Sequence, residues 1–172
     1  MRSFLLDFVV QEYCPVIRFV MYLGASLDDA EVMARAAVAE IWHHAEQHPA
    51  DRLVIADLKK SVRAIAYQKY LRPPLSMRPL PRVMARNLEK AITDQASYAG
   101  LTVGTSFVLD AIRNLEPLPR AVLAFHRDGF SVSEIAAQLG IANDLATDAL
   151  NQARGTMARE LVGCRVQERR KH

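Results

Sequence analysis

The stretch that decides the reading is Phe130–Arg159, FSVSEIAAQLGIANDLATDALNQARGTMAR. Ser131 with Glu134 three residues later forms a capping box, in which each residue's side chain satisfies a backbone N–H of the other. Ile135, Ala136 and Leu139 give the helix that follows an apolar face, Gly140 ends it in a tight turn, and Ile141 anchors the turn. A second helix from about Asn143 places Leu145, Ala146, Ala149, Leu150 and Ala153 inward. Helix, glycine turn, helix is the layout of a helix-turn-helix, whose second helix enters the major groove of DNA.

Working outward, the chain of 172 residues is long enough for one large domain or two small ones. About half of it is apolar, so it can bury cores, and strand signals are nearly absent. The expected fold is all-α, with two small helical domains joined by a flexible linker. Residues 1–72 make the first domain, 73–105 a Pro-containing basic linker, 106–164 the helix-turn-helix domain and 165–172 a basic tail. In the first domain, helices are expected from about Ser3 to Leu23, from Asp28 or Asp29 to His48, and from Arg52 or Asp57 to Leu71. Core candidates are Phe4, Phe8, Ile17, Val20 and Met21, then Val32, Val38, Ile41 and Trp42. Pro15 is expected to kink or split the first helix. The linker contains PPLSMRPLP at 73–81, with four of the chain's eight prolines, which favours an extended spacer. Val83–Ala99 reads as a further helix. Phe107–Leu115, Pro119–Asp128, Ser131–Leu139 and Asn143 to about Val162 complete the second domain.

Charge is unevenly spread. Residues 1–51 balance at −5, residues 52–90 at +8, residues 91–164 at −3 and the tail from Arg165 at +3. A basic segment so concentrated is a footprint for a polyanion. Cys14 and Cys164 are isolated, as in a reducing compartment, and the apolar N-terminus is interrupted by Asp7, Gln11, Glu12, Pro15 and Arg18. These features lead us to expect a cytoplasmic protein without membrane insertion. His43, His44 and His48 have no cysteine or carboxylate at a matching spacing, so neither metal nor cofactor is expected. Nucleophile elbow, phosphate loop and paired catalytic carboxylates are missing, which argues against an enzyme.

Four stretches resemble bacterial RNA polymerase sigma factors, in the short extracytoplasmic-function group that keeps only the second and fourth conserved regions. EYCPVIRFV (Glu12–Val20) is similar to that family's first helix. DDAEVMARAAVAEIW (Asp28–Trp42) resembles its Asp-Ala-Glu helix with a closing Trp. SVRAIAYQKYLR (Ser61–Arg72) resembles the helix that reads and melts the minus-ten element, and LEPLPRAVLAFHRDGFSVSEIAAQLGI (Leu115–Ile141) resembles the entry to the promoter-reading helix-turn-helix. The resemblance implies a sigma factor that binds core RNA polymerase and directs promoter recognition, DNA melting and transcription initiation.

It also implies site residues. Asp28, Asp29, Glu31, Arg35 and Trp42 would meet the polymerase clamp. Lys59, Lys60, Arg63, Lys69 and Arg72 would hold phosphates of the opened minus-ten strand, with Tyr67 and Tyr70 stacking on its bases. In the second domain Arg120, Arg127 and Arg154 would hold the backbone, while Asn143, Thr147, Asn151 and Gln152 face the groove. The chain departs from the family pattern at Val32, Arg35, Ala36 and Glu40. Between Ser131 and Ala153 it has no basic side chain and three acidic ones. Two alternatives follow: a sigma-like regulator that binds an anti-sigma factor or another protein without initiating transcription, and a stand-alone helix-turn-helix regulator, which would need to dimerise.

Overall fold

The structure is a computed structural model that describes residues 2–47, 55–74, 80–94 and 103–169. It is all-helical: eight helices and no strand occur among the described residues. By contacts the chain divides into two compact units, Met1–Met21 with Ala25–Gly100, and Leu101–His172 with Tyr22–Gly24. No helix among the described residues is long and apolar enough to cross a membrane.

The first unit holds α1 (Arg2–Tyr22) as far as Met21, α2 (Leu27–Gln47), α3 (Ile55–Leu71) and α4 (Arg82–Asp94). Helix α1 is buried on most of its circumference, through Leu5, Phe8, Val9, Tyr13, Val16, Ile17, Phe19 and Val20. Pro15 neither splits nor ends it. A proline interrupts one backbone hydrogen bond and crowds the carbonyl four residues back. Here that carbonyl belongs to exposed Gln11, and the buried residues on both sides of Pro15 hold the helix together. Helix α2 buries Ala30, Met33, Ala34, Ala37, Val38, Ile41, Trp42 and Ala45 at helical spacing and packs along α3. Small alanines on this stripe let the two backbones approach closely. Phe4 and Val32 were expected in the core and are exposed: Phe4 stands in the first turn of its helix, and Val32 falls off the stripe that Ala30, Met33 and Ala34 define.

Helix α2 does not begin with its own acids alone. The Ser26 hydroxyl accepts from Asp29 N at 3.1 Å and donates to Asp29 Oδ2 at 2.7 Å, a cap that the sequence reading missed. Helix α4 lies within the stretch read as linker, groups with the first unit, and buries Met84 and Leu88 while exposing Arg82, Arg86 and Lys90. Most of the proline segment (75–79) lies outside the described residues, as do His48 and the start expected for α3 at Arg52.

The second unit holds α5 (Val103–Arg113), α6 (Pro117–Arg127), α7 (Val132–Leu139) and α8 (Asn143–Arg169). Helix α8 packs against the other three. Pro117 and Pro119 stand in the first turn of α6, where a missing N–H has no intrahelical partner to lose. Phe125 is fully buried and meets Phe130 edge-on, ring centroids 5.0 Å apart and planes at 74°, so the α6–α7 corner is fixed by an aromatic pair. Helix α8 runs 27 residues, past Val162 and through most of the segment read as a tail, because no proline follows Pro119 to stop it. The side chains beyond Glu160, including Cys164 and the basic end, lie outside the described residues; Cys14 is a buried free thiol.

Candidate nucleic-acid interface

In the second unit the local chemistry of α7 and α8 follows the sequence closely. Ser131 is extended (φ −70°, ψ 160°) and caps α7: its hydroxyl accepts from Glu134 N at 3.3 Å, while Ser131 N donates to Glu134 Oε2 at 2.8 Å. Gly140 ends α7 in the left-handed region at φ 68°, which lets its own N–H and that of Ile141 reach the Ala136 carbonyl. We expect Ser131→Ala to cost the second unit about 1 kcal/mol, and Ser131→Asp to recover most of it. Urea denaturation followed by circular dichroism checks this, and equal stability of all three proteins would contradict the capping role.

Helix α8 then separates two faces. Ala146, Ala149, Leu150 and Ala153 are buried, whereas Asn143, Thr147, Asn151, Gln152 and Arg154 are exposed. Residues 143, 147, 151 and 154 recur at helical spacing and so share one side. Thr147 donates back to the Asn143 carbonyl at 2.9 Å. Leu145 was placed inward and is instead 47% exposed, beside exposed Asp144 and Asp148. The buried stripe advances in steps of three, one and three from Ala146, which puts position 145 outside it. The cations expected to hold the backbone make contacts within the chain. Arg154 Nη2 sits 2.8 Å from His126 Nε2, Arg127 lies over the Tyr22 ring at 4.7 Å, and Arg120 donates to the Arg113 carbonyl at 3.1 Å.

The first unit tells a different story about charge. Glu12 of α1 is buried, and α3 delivers two cations to it: Lys59 Nζ at 2.9 Å and Arg63 Nη1 at 2.5 Å. Arg63 is only 6% exposed. Burial alone would raise the Glu12 carboxyl, but the hydrogen bonds and charges of Lys59 and Arg63 outweigh it and hold the group below its ordinary value. Glu40 of α2 pairs with Lys69 of α3 at 2.6 Å. Part of the basic segment is therefore matched by acids of α1 and α2, and the expectation that Arg63 meets a phosphate is corrected: its guanidinium is an internal partner. Lys60 and Arg72 are exposed, and Lys59 keeps about half of its side chain in solvent (52%). Tyr67 and Tyr70 are half-buried near the end of α3, and burial, with the neighbouring Tyr70, pushes the Tyr67 phenol up.

The acidic start of α2 is exposed at Asp28 and Asp29, although Asp29 is engaged by Ser26. Glu31 is half-buried, its carbonyl within 3.5 Å of the Tyr13 hydroxyl. Arg35 is half-buried and hydrogen-bonded to Tyr13, whose phenol is raised by burial. Trp42 is 8% exposed, and its indole N–H finds no acceptor among the described residues. It is a core side chain of α2, not a surface contact. Glu12 and Glu40 are the functional-looking charges that sequence reasoning missed as partners of α3. Their only signal was an acidic excess before residue 51 facing a basic excess after it. No family model, no curated protein and no solved structure matches the chain.

Proposed function

We propose that this chain is a cytoplasmic sigma-type promoter-specificity subunit that binds core RNA polymerase and promoter DNA. What supports the reading most is the order of a capped short helix, a left-handed glycine and a long helix with one buried and one polar side, the arrangement of a helix-turn-helix. In this reading α8 lies on upstream duplex, where Asn143, Thr147, Asn151 and Gln152 meet base edges while Arg120, Arg127 and Arg154 flank the backbone. The end of α3 takes the opened strand: Lys60, Arg72 and the exposed part of Lys59 neutralise phosphates, and Tyr67 and Tyr70 stack on bases. Asp28 and Asp29 of α2 face the polymerase clamp. The chain makes and breaks no bond; its contribution is binding energy directed at melted DNA.

Tyr67→Ala and Tyr70→Ala are each expected to reduce promoter opening about tenfold, since one base stack contributes roughly 1–3 kcal/mol. Duplex binding should change little, and the Phe variants should open promoters almost as well as the native chain. Permanganate reactivity of unpaired thymines measures opening, and a gel shift measures duplex binding; equal losses in both would remove the stacking role.

A second reading rests on a specific observation. The polar face of α8 carries Asp144 and Asp148, an exposed Leu145 and no cation before Arg154. Most sequence-independent DNA affinity comes from neutralising phosphates, so this surface also suits a protein partner such as an anti-sigma factor. Co-migration of the purified chain with core polymerase in a native gel separates the two. A shifted band supports the sigma reading, and its absence with retained binding to a protein partner supports the second.

A further inference from the structure

The second unit contains a cavity of about 460 Å³ whose apolar chamber neither reading uses, although the sigma reading takes two of its lining residues, Arg127 and Arg154, to the DNA backbone. Ile112 of α5, Leu123 of α6 and Met157 of α8 contribute apolar walls, and His126, Arg127 and Arg154 supply its polar part. None of the residues that line it is acidic. Its volume falls in the range of about 300–1,000 Å³ usual for small-molecule sites.

The polar groups have a defined donor pattern. Arg154 Nη2 lies 2.8 Å from His126 Nε2, and a guanidinium only donates, so Nε2 is the acceptor. The proton of the neutral ring then sits on Nδ1, which is buried and has no hydrogen-bond partner among the described residues. A buried donor left without an acceptor is costly, and such groups are rare in folded proteins. Two guanidinium groups and this histidine thus stand beside an apolar chamber whose lining residues include no carboxylate.

We propose that the cavity binds a small amphipathic carboxylate, its head on Arg154 and its tail among Ile112, Leu123 and Met157. The guanidinium fork matches a planar carboxylate in bidentate fashion. The walls match an apolar tail, and the chamber has the scale of a small molecule, whereas a docked protein helix spreads several anchors along an extended groove. The proposal does not depend on the second unit meeting DNA.

Isothermal titration of the full chain with octanoate, and with octanol as the uncharged counterpart, tests it. Saturable binding at one site is expected for octanoate, with octanol at least about tenfold weaker, since a charge-assisted hydrogen bond is roughly twice as strong as a neutral one. Arg154→Ala should weaken octanoate about tenfold. Ala158→Trp should abolish binding by filling the mouth of the cavity; Ala158 lines the cavity and is exposed, so the far-ultraviolet circular dichroism and melting point should be unchanged. In nuclear magnetic resonance spectra, octanoate should shift the His126 ring and the Met157 methyl. No saturable binding, equal binding of octanol, or binding indifferent to both substitutions would overturn the proposal.

Discussion

Replacing Glu12 by Gln is expected to destabilise the first unit by about 3–5 kcal/mol, the cost of removing one partner from a buried ion pair. Arg63 would keep its charge at 6% exposure, with no carboxylate to meet it. Lys59 would lose less, because half of it already lies in water. A typical domain holds only about 5–15 kcal/mol in total, so this one oxygen-for-nitrogen exchange removes a large share. Urea denaturation followed by Trp42 fluorescence reads it directly, since Trp42 is buried in the same unit. A midpoint equal to that of the native chain would mean that the pair contributes nothing. Replacing both members, Glu12→Leu with Arg63→Met, should recover much of the loss, because no charge is then stranded.

The same carboxylate sets an acid limit. Its folded pKa lies below the ordinary value of 4.5, so the unfolded chain binds the proton more readily than the folded one. The pair's stabilisation is therefore complete above that ordinary value and is lost as pH falls through the lower folded value. The stability difference between the native chain and Glu12→Gln should shrink as pH drops from neutrality through this window. A difference independent of pH would contradict the pairing.

Phe125→Ala is the largest effect expected in the second unit, again about 3–5 kcal/mol. Phe125 is fully buried on α6, and its ring meets Phe130, the residue just before the α7 cap. Truncation leaves a cavity at this corner and removes the contact that sets where α7 begins. Amide hydrogen exchange should accelerate across α6, α7 and the first turns of α8. Accelerated exchange confined to α6 would show that the aromatic pair does not position α7. Phe125→Leu should cost distinctly less, because it keeps most of the apolar volume.

How far the sequence carried this reading depends on the range of the interaction. Capping, turn chemistry and periodicity act over three or four residues, and these were legible: the Ser131–Glu134 box, the Gly140 turn and the stripe through Ala146, Ala149, Leu150 and Ala153. Where the apolar pattern was ambiguous by one position, the reading failed, as at Leu145 and Val32. Pro15 does not split α1, because a single broken hydrogen bond is a small loss beside the burial of Tyr13, Val16, Ile17 and Phe19. The charge pattern misled for a deeper reason. A count of cations along residues 52–90 cannot reveal that Glu12, some fifty residues earlier (a separation of 51 from Arg63), lies against α3. Tertiary register decides which of those cations faces solvent. The basic footprint therefore shrinks on folding, to Lys60, Arg72 and the outer part of Lys59 on α3 and to Arg82, Arg86 and Lys90 on α4, and the tyrosines near the end of α3 gain weight in the proposed interface.

The central claim is that the chain directs initiation by RNA polymerase. Run-off transcription with purified core polymerase on promoter-bearing fragments, with and without this protein, tests it most directly. Defined transcripts are expected that appear only when the protein is added and that weaken with Tyr67→Ala and Tyr70→Ala. A protein that binds core polymerase yet yields no defined transcript from any such fragment would contradict it.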